Sequence, residues 1–133
     1  MKAVLASMKP EWWEKILSGE KTLEIRKSAP QSKDGQAFRW PLIVLVYVSG
    51  TGAVHGQFTF PGWIKTNLLE MLVDRSCVKL EDLRAYAKGG SLYGWLVENP
   101  QKYATPSPLA EFGLVRPPVS WQYVEIPDAA VEV

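Results

Sequence analysis

The stretch Gly19-Glu20-Lys21-Thr22-Leu23-Glu24-Ile25-Arg26 decides how the N-terminal part of the chain folds. It follows an amphipathic run over residues 10–18, where a proline suits the first helical turn and Gly19 suits the end, because glycine adopts positive φ at little cost. After Gly19 the apolar period changes from helical to two, so Leu23 and Ile25 lie on one side of a strand. The other side carries a hydroxyl, a carboxylate and a guanidinium, from Thr22, Glu24 and Arg26.

Lys21 stands between the glycine turn and this strand. Strict alternation places its side chain on the apolar side, so either the turn swings it outward or its aliphatic stem lies along the edge of the core. Spacing alone favours a solvated salt bridge of Glu24 with Arg26 or Lys21, which contributes about 0–1 kcal/mol.

The pattern Gly-x-Lys-x-x-Glu-x-Arg in this stretch resembles the signature of the ASCH domain, a branch of the PUA-like fold. Other segments resemble ASCH landmarks in the same order, namely residues 4–10, 16–22, 47–49, 56–58 and 117–123. The resemblance extends over about residues 2–126. It implies a small PUA-like β-barrel and a cleft, beside the first helix and this strand, that receives nucleic acid, usually RNA. It also indicates a bacterial or prophage source.

Composition is that of an ordinary globular protein, with 133 residues, 47% hydrophobic and 22% charged. Cys77 and His55 are the only residues of their types, so we expect no disulfide within the chain, no zinc site and no cofactor. A reducing, cytoplasmic location fits the single cysteine. No apolar stretch is long enough to cross a bilayer, so no membrane partner is expected.

Charge is distributed unevenly along the chain. The formal net charge is +1, but residues 1–40 carry eight basic and five acidic residues. A local basic face that holds a few phosphates is therefore predicted, whereas binding along a long duplex is not.

The order of predicted elements indicates an α+β protein. We predict a single domain over residues 1–133, with a core at about 2–126 and a C-terminal tail at 127–133 that frays. Strands are predicted at residues 3–7, 22–26, 41–48, 53–60, 93–97 and 119–126, and helices at 10–18, 66–73 and 80–87. Five to six mostly antiparallel strands of this length, with two to three helices, can curl into a small barrel. Residues 99–118 contain five prolines and are predicted to be an irregular segment that Leu109, Phe112, Leu114 and Val115 attach to the core.

Binding candidates follow from the residue types around the motif. Lys9, Lys21 and Arg26 could contact phosphates, and Glu24 could accept hydrogen bonds from a base. Trp13 is the candidate for base stacking on the first helix, where Trp12 is expected to be part of the barrel rim. Further candidates are Ser49 at the exit of the third strand, Trp40 and Trp63 for stacking, and the polar loop 27–39, either a solvated connection or a basic flap over the cleft.

Catalysis is the first alternative to binding. Lys21 and Glu24 could act as an acid–base pair in RNA cleavage. Part of the ASCH family resembles amidohydrolases that act on N4-acetylcytidine with a lysine, a threonine and a glutamate. Lys21 matches that lysine, but Glu24 stands at the threonine position, so Thr22 and Asp74 are weaker candidates for a rearranged site. The second alternative is a protein-interaction module that uses the proline-rich segment 99–118.

Overall fold

A computed structural model describes residues 1–31 and 41–127 of the chain. The strands are β1 (Lys2–Met8), β2 (Leu23–Arg26), β3 (Leu42–Val48), β4 (Ala53–Phe60), β5 (Trp63–Thr66), β6 (Leu92–Leu96), β7 (Glu98–Pro108) and β8 (Trp121–Glu125). The helices are α1 (Pro10–Ser18), α2 (Val73–Ser76) and α3 (Leu80–Ala87), with 3-10 turns at Leu69–Leu72 and Leu109–Phe112. The predicted tail beyond residue 127 lies outside the described residues.

The strands form two sheets. The larger sheet has the order β7-β4-β3-β1-β8, and β1 and β3 run parallel in it while its other pairs are antiparallel. The smaller sheet, β2-β6-β5, is antiparallel. The α+β class with mostly antiparallel pairing is confirmed. The eight strands in the described part of the chain exceed the five to six that were predicted.

β3 is the central strand of the larger sheet and is covered on both faces. Its even-numbered residues pack in a core shared with Trp13, Phe58 and Trp95, and its odd-numbered residues pack in a second core with Leu5 and Leu109. All seven residues of β3 are buried. An unbroken apolar run suits such a strand, because each face needs its own apolar side chains.

α1 begins and ends where the sequence predicts. Pro10 occupies its first turn, and Gly19 (φ 86°) closes it by donating its N–H to the Ile16 carbonyl at 3.1 Å. The buried positions are Trp13 and Ile16, whereas Trp12 is only partly buried. Gly56 of β4 explains the difference, because its missing side chain leaves the space that the Trp13 ring occupies.

The segment between β4 and α3 differs from the single helix predicted at residues 66–73. Its first part is β5, which pairs with β6 so that Trp63 lies opposite Trp95. Thr66 then accepts the N–H of Leu68 on its hydroxyl oxygen at 2.9 Å, and only two short helical turns follow, at Leu69–Leu72 and α2. The apolar leucine spacing is helical, but aromatic and β-branched residues before it favour the edge of a sheet.

The proline-rich segment is also more regular than expected. Its first part is β7, an edge strand that pairs with β4 through two breaks in register. Proline is tolerated at a sheet edge and at such breaks, because no ladder hydrogen bond is lost there. Leu109 is buried, and Phe112 and Leu114 pack against the second core, whereas Val115 is exposed.

Within residues 1–31 and 41–127, no helix has the length and apolar character that a membrane span requires.

The contact between Gly56 and Trp13 leads to a stability prediction. A Cβ at Gly56 would collide with the Trp13 ring and with the backbone carbonyl of Gln101. We therefore expect Gly56→Ala to lower the free energy of unfolding by about 1–3 kcal/mol, as over-packed cores do. Urea denaturation followed by circular dichroism measures the change.

Gly62→Ala is the matched control, since a Cβ at Gly62 meets no atom within 4 Å. Its denaturation midpoint should stay close to that of the wild type. Equal midpoints for Gly56→Ala and Gly62→Ala would contradict the packing described.

Candidate functional site

A cleft of about 620 Å³ opens beside β2, between α1 and α3. Three charged side chains of the motif stretch form its floor: Lys21, Glu24 and Arg26. Trp12 of α1 and Tyr86 of α3 contribute aromatic side chains to its lining. The sequence therefore brings charged and aromatic groups together in one concavity.

The turn after α1 directs Lys21 into the protein. The backbone N–H of Lys21 donates to the Lys15 carbonyl at 3.0 Å, which folds the chain back under the helix. The N–H of Thr22 donates to the Arg75 carbonyl at 2.8 Å, so β2 starts one residue later than predicted. As a result the Lys21 side chain is only 1% exposed, and its stem does not run along an open edge.

The ammonium of Lys21 has three close neighbours. Nζ donates to the backbone carbonyl of Ser76 at 2.7 Å, lies 3.5 Å from Oε1 of Glu24, and lies 4.8 Å from the centre of the Trp12 ring. Burial lowers the pKa of Lys21 below its usual value of 10.5, and the Glu24 carboxylate offsets this change only in part. Burial thus weakens the hold of Lys21 on its proton, and Glu24 counteracts this effect.

The Glu24 carboxylate bridges the two cations. Oε1 faces Lys21 and accepts the backbone N–H of Ile25 at 3.2 Å, and Oε2 accepts from Nη2 of Arg26 at 3.0 Å. Glu24 is 6% exposed. The expectation of a solvated salt bridge is therefore wrong, because both faces of β2 are covered.

Arg26 connects the two sheets. Nη2 donates to the Ser7 carbonyl at 2.7 Å, at the end of β1, and Nη1 donates to both the carbonyl and the hydroxyl oxygen of Ser120 at 3.1 Å, just before β8. The guanidinium also lies 5.6 Å from the Trp95 ring. Its terminal nitrogens are therefore engaged within the protein, which makes Arg26 a structural clamp.

Exposed charged side chains at the rim also contribute to the formal charge of the cleft. Lys9 and Lys27 are exposed cations, and Asp82 is an exposed anion. Together with the floor, four basic groups stand against two acidic ones, which gives the cleft a formal charge of +2. Lys27 lies with Nζ 4.6 Å from the Tyr86 ring.

Two predicted binding residues lie elsewhere. Trp13 belongs to the core and is 4% exposed, because its ring fills the space above Gly56. Ser49 is exposed and does not line the cleft; its N–H donates to the Met8 carbonyl at 2.9 Å, which turns the chain after β3.

The two weaker catalytic candidates also lie outside the cleft. The Thr22 hydroxyl oxygen accepts a hydrogen bond from Nε of Arg75 at 3.0 Å, and Thr22 does not line the cleft. Asp74 is exposed on α2 and does not line the cleft. The structure therefore does not bring Thr22 and Asp74 together with Lys21 and Glu24 in the cleft.

Other residues take places that the sequence did not reveal. Tyr86 of α3 is 40% exposed at the cleft wall, and Trp12 lines the cleft instead of Trp13. Trp63 donates Nε1 to the Pro30 carbonyl and is not part of the cleft. Trp40 and most of the loop 27–39, the proposed flap, lie outside the described residues.

The lowered pKa of Lys21 predicts a pH effect on stability. Between that pKa and about 10.5 the unfolded chain binds more protons than the folded one, so the free energy of unfolding rises with pH across this window. Lys21→Met removes the effect. We therefore compare the free energy of unfolding of the wild type with that of Lys21→Met. The wild-type value minus the variant value should increase as the pH rises from 7 towards 10.5.

Denaturant titrations at several pH values measure this difference, and an NMR titration of the lysine ε-methylene signals checks the pKa of Lys21 directly. A difference that stays constant or falls over this range contradicts the assignment.

Comparison with known proteins supports the fold. No family model matches the sequence, and no curated protein matches it. Solved structures do: three crystal structures of the ASCH protein ZmASCH from Zymomonas mobilis, the unmodified form, a Tyr-to-Phe variant and a Ser-to-Ala variant, superpose with TM-scores of 0.74, 0.76 and 0.74 at 17–18% identity. They cover 98–99% of this chain and 91–95% of theirs. This chain therefore has the fold of an ASCH domain, as its N-terminal motif predicts.

Proposed function

We propose that this domain binds RNA, or a modified nucleoside, in the cleft between α1 and α3. The observation that carries the proposal is the combination of a formal charge of +2 with two partly exposed aromatic side chains in one concavity of about 620 Å³. Phosphates need cations and bases need flat apolar surfaces, and single-stranded nucleic acid is bound by this combination. ASCH domains, whose fold this chain has, are a branch of the PUA-like fold, in which RNA is the usual ligand.

The roles divide according to which groups are free. Lys9 and Lys27 are exposed and would contact phosphates. Trp12 and Tyr86 would stack on a base, which contributes about 1–3 kcal/mol per base. Arg26 would not move to the ligand, because leaving the carbonyls of Ser7 and Ser120 would strand buried polar groups.

Glu24 and Lys21 would form the floor beneath the base. The Lys21 ammonium has a donor left after its contacts with Ser76 and Glu24, since it carries three. That donor could meet a carbonyl oxygen of a base. Selection among bases would therefore depend on Lys21, whereas overall affinity would depend on Lys9 and Lys27.

A second function is favoured by one observation, the short distance between a buried lysine and a carboxylate. With a lowered pKa, Lys21 could take a proton from an attacking water and return it to the leaving nitrogen of an N4-acylated cytidine, with Glu24 holding the ammonium in place. RNA cleavage by the same pair is the related possibility. Neither Thr22 nor Asp74 would take part, since both lie outside the cleft.

Binding is tested with a fluorescently labelled single-stranded RNA of six nucleotides. We expect the double variant Lys9→Ala/Lys27→Ala to bind the RNA more weakly. Its slope of log binding constant against log salt concentration should be less steep by about 0.7 for each lost phosphate contact. Lys65→Ala/Lys102→Ala, which removes two exposed lysines outside the cleft, is the control and should keep the wild-type slope. Equal slopes for the two double variants would refute the proposed site.

The same preparations are then incubated with N4-acetylcytidine and with the RNA, and products are followed by chromatography. If the domain is an enzyme, Glu24→Gln and Lys21→Met should abolish turnover. The double lysine variant should raise KM for the RNA but not for N4-acetylcytidine, which carries no phosphate. Absence of turnover by the wild type on both substrates would rule out this second function.

A further inference from the structure

A second cavity, of about 330 Å³, lies on the other face of the larger sheet. Its base is formed by Leu45 of β3 and Gln57 of β4, which lie opposite each other in the ladder. Tyr103 of β7, Phe112 and Ile126 enclose it. It shares no lining residue with the cleft beside β2. Its volume is within the range of small-molecule sites, about 300–1,000 Å³.

The cavity contains a hydrogen-bonded polar pair, the buried Gln57 and the partly buried Tyr103, and its lining also includes Ser107 and Glu111. Gln57 is 6% exposed, and its Oε1 accepts the hydroxyl of Tyr103 at 2.7 Å. Its amide nitrogen Nε2 makes no hydrogen bond among residues 1–31 and 41–127 and is accessible to solvent. A ligand that enters the cavity can therefore accept a hydrogen bond from this donor in place of water.

The pair presents one donor and one acceptor to whatever fills the cavity. Nε2 of Gln57 offers an N–H, and the oxygen of Tyr103, having donated its proton, offers a lone pair. Rotating the side-chain amide of Gln57 by 180° exchanges the positions of its oxygen and nitrogen, but the pair still offers one donor and one acceptor. The complementary chemical group is one that carries a carbonyl oxygen and an N–H side by side, as a carboxamide does.

Charge selects further among ligands. No lysine or arginine lines the cavity, and the one charged group at its rim is the exposed carboxylate of Glu111. An anion would have to lose its water without gaining a cationic partner, which is costly. The formal charge of the cavity lining is therefore negative, whereas that of the cleft beside β2 is positive. We expect phosphates to be excluded from the cavity. Leu45, Phe112 and Ile126 provide apolar contact for the body of a guest.

We propose that this cavity is a second ligand site, which binds small uncharged molecules that combine an apolar body with a carboxamide-type edge. Gln57 and Tyr103 would hold the edge, and the apolar walls would hold the body. Nothing in this proposal depends on nucleic-acid binding at the cleft.

Benzamide and benzoate are matched probes, because they share a ring and differ in the polar group. Each is titrated into ¹⁵N-labelled protein, and chemical shifts are followed by NMR. We expect benzamide to shift the side-chain amide signals of Gln57 and the backbone signals around the cavity, and to bind at least about tenfold more tightly than benzoate. Gln57→Leu and Tyr103→Phe should each weaken benzamide about 3- to 10-fold, as expected for one hydrogen bond.

Lys65→Ala, on β5 and outside the cavity, is the control and should bind benzamide as the wild type does. The proposal is overturned if benzamide causes no saturable shifts around the cavity up to its solubility limit, or if benzoate binds equally well. It is also overturned if both Gln57→Leu and Tyr103→Phe leave the affinity unchanged. Should Gln57→Leu fail to fold, Tyr103→Phe alone decides, because removing one hydroxyl preserves the shape of the side chain.

Discussion

The Glu24 carboxylate, held between the ammonium of Lys21 and the guanidinium of Arg26, is the interaction on which the rest of the structure depends. Three charges buried together carry a surplus of one positive charge, which apolar surroundings do not tolerate alone. Backbone carbonyls of three serines, Ser7, Ser76 and Ser120, accept hydrogen bonds from the two cations and offset part of that cost. These carbonyls belong to β1, to α2 and to the segment before β8, so satisfying the charges also fixes how the two sheets and the helical turns meet. Removing one partner of such a network typically costs about 3–5 kcal/mol.

The same network explains why the cleft exists and what remains free in it. The terminal nitrogens of Arg26 bond to Ser7, Ser120 and Glu24, so most polar groups of the cleft floor already have partners. In the proposed binding mode, an incoming anion would meet Lys9 and Lys27 at the exposed rim, where no hydrogen bond within the protein has to break. Burial is the main cause of the lowered pKa of Lys21, and the nearby Arg26 adds a smaller effect in the same direction. In the proposed binding mode, the structural residues Glu24 and Arg26 of the motif would thus be separate from the phosphate-binding residues Lys9 and Lys27, which lie outside it.

Much of the fold could be predicted from local sequence. The remaining features of the fold and of the cleft depend on contacts between distant parts of the chain. The helix at Pro10–Ser18 and the strand β4 were predicted with their observed bounds because proline, glycine and apolar period act locally. The choice between Trp12 and Trp13 could not be made locally, since it depends on Gly56, in a different strand. The partners of Lys21 and Arg26 are mainly backbone carbonyls, and a carbonyl has no residue-type signature. β7 was missed because proline content suggests irregular chain, whereas an edge strand with register breaks accommodates it.

In the proposed binding mode, the buried network stays closed while Lys9 and Lys27 receive the ligand. A crystal structure of the protein with cytidine 5′-monophosphate would show whether it does. We expect a phosphate within hydrogen-bonding distance of the Lys9 or Lys27 ammonium, a base against Trp12 or Tyr86, and Arg26 still bonded to the carbonyls of Ser7 and Ser120. A nucleotide bound away from the cleft, or a phosphate held by an Arg26 that has left those carbonyls, would contradict it.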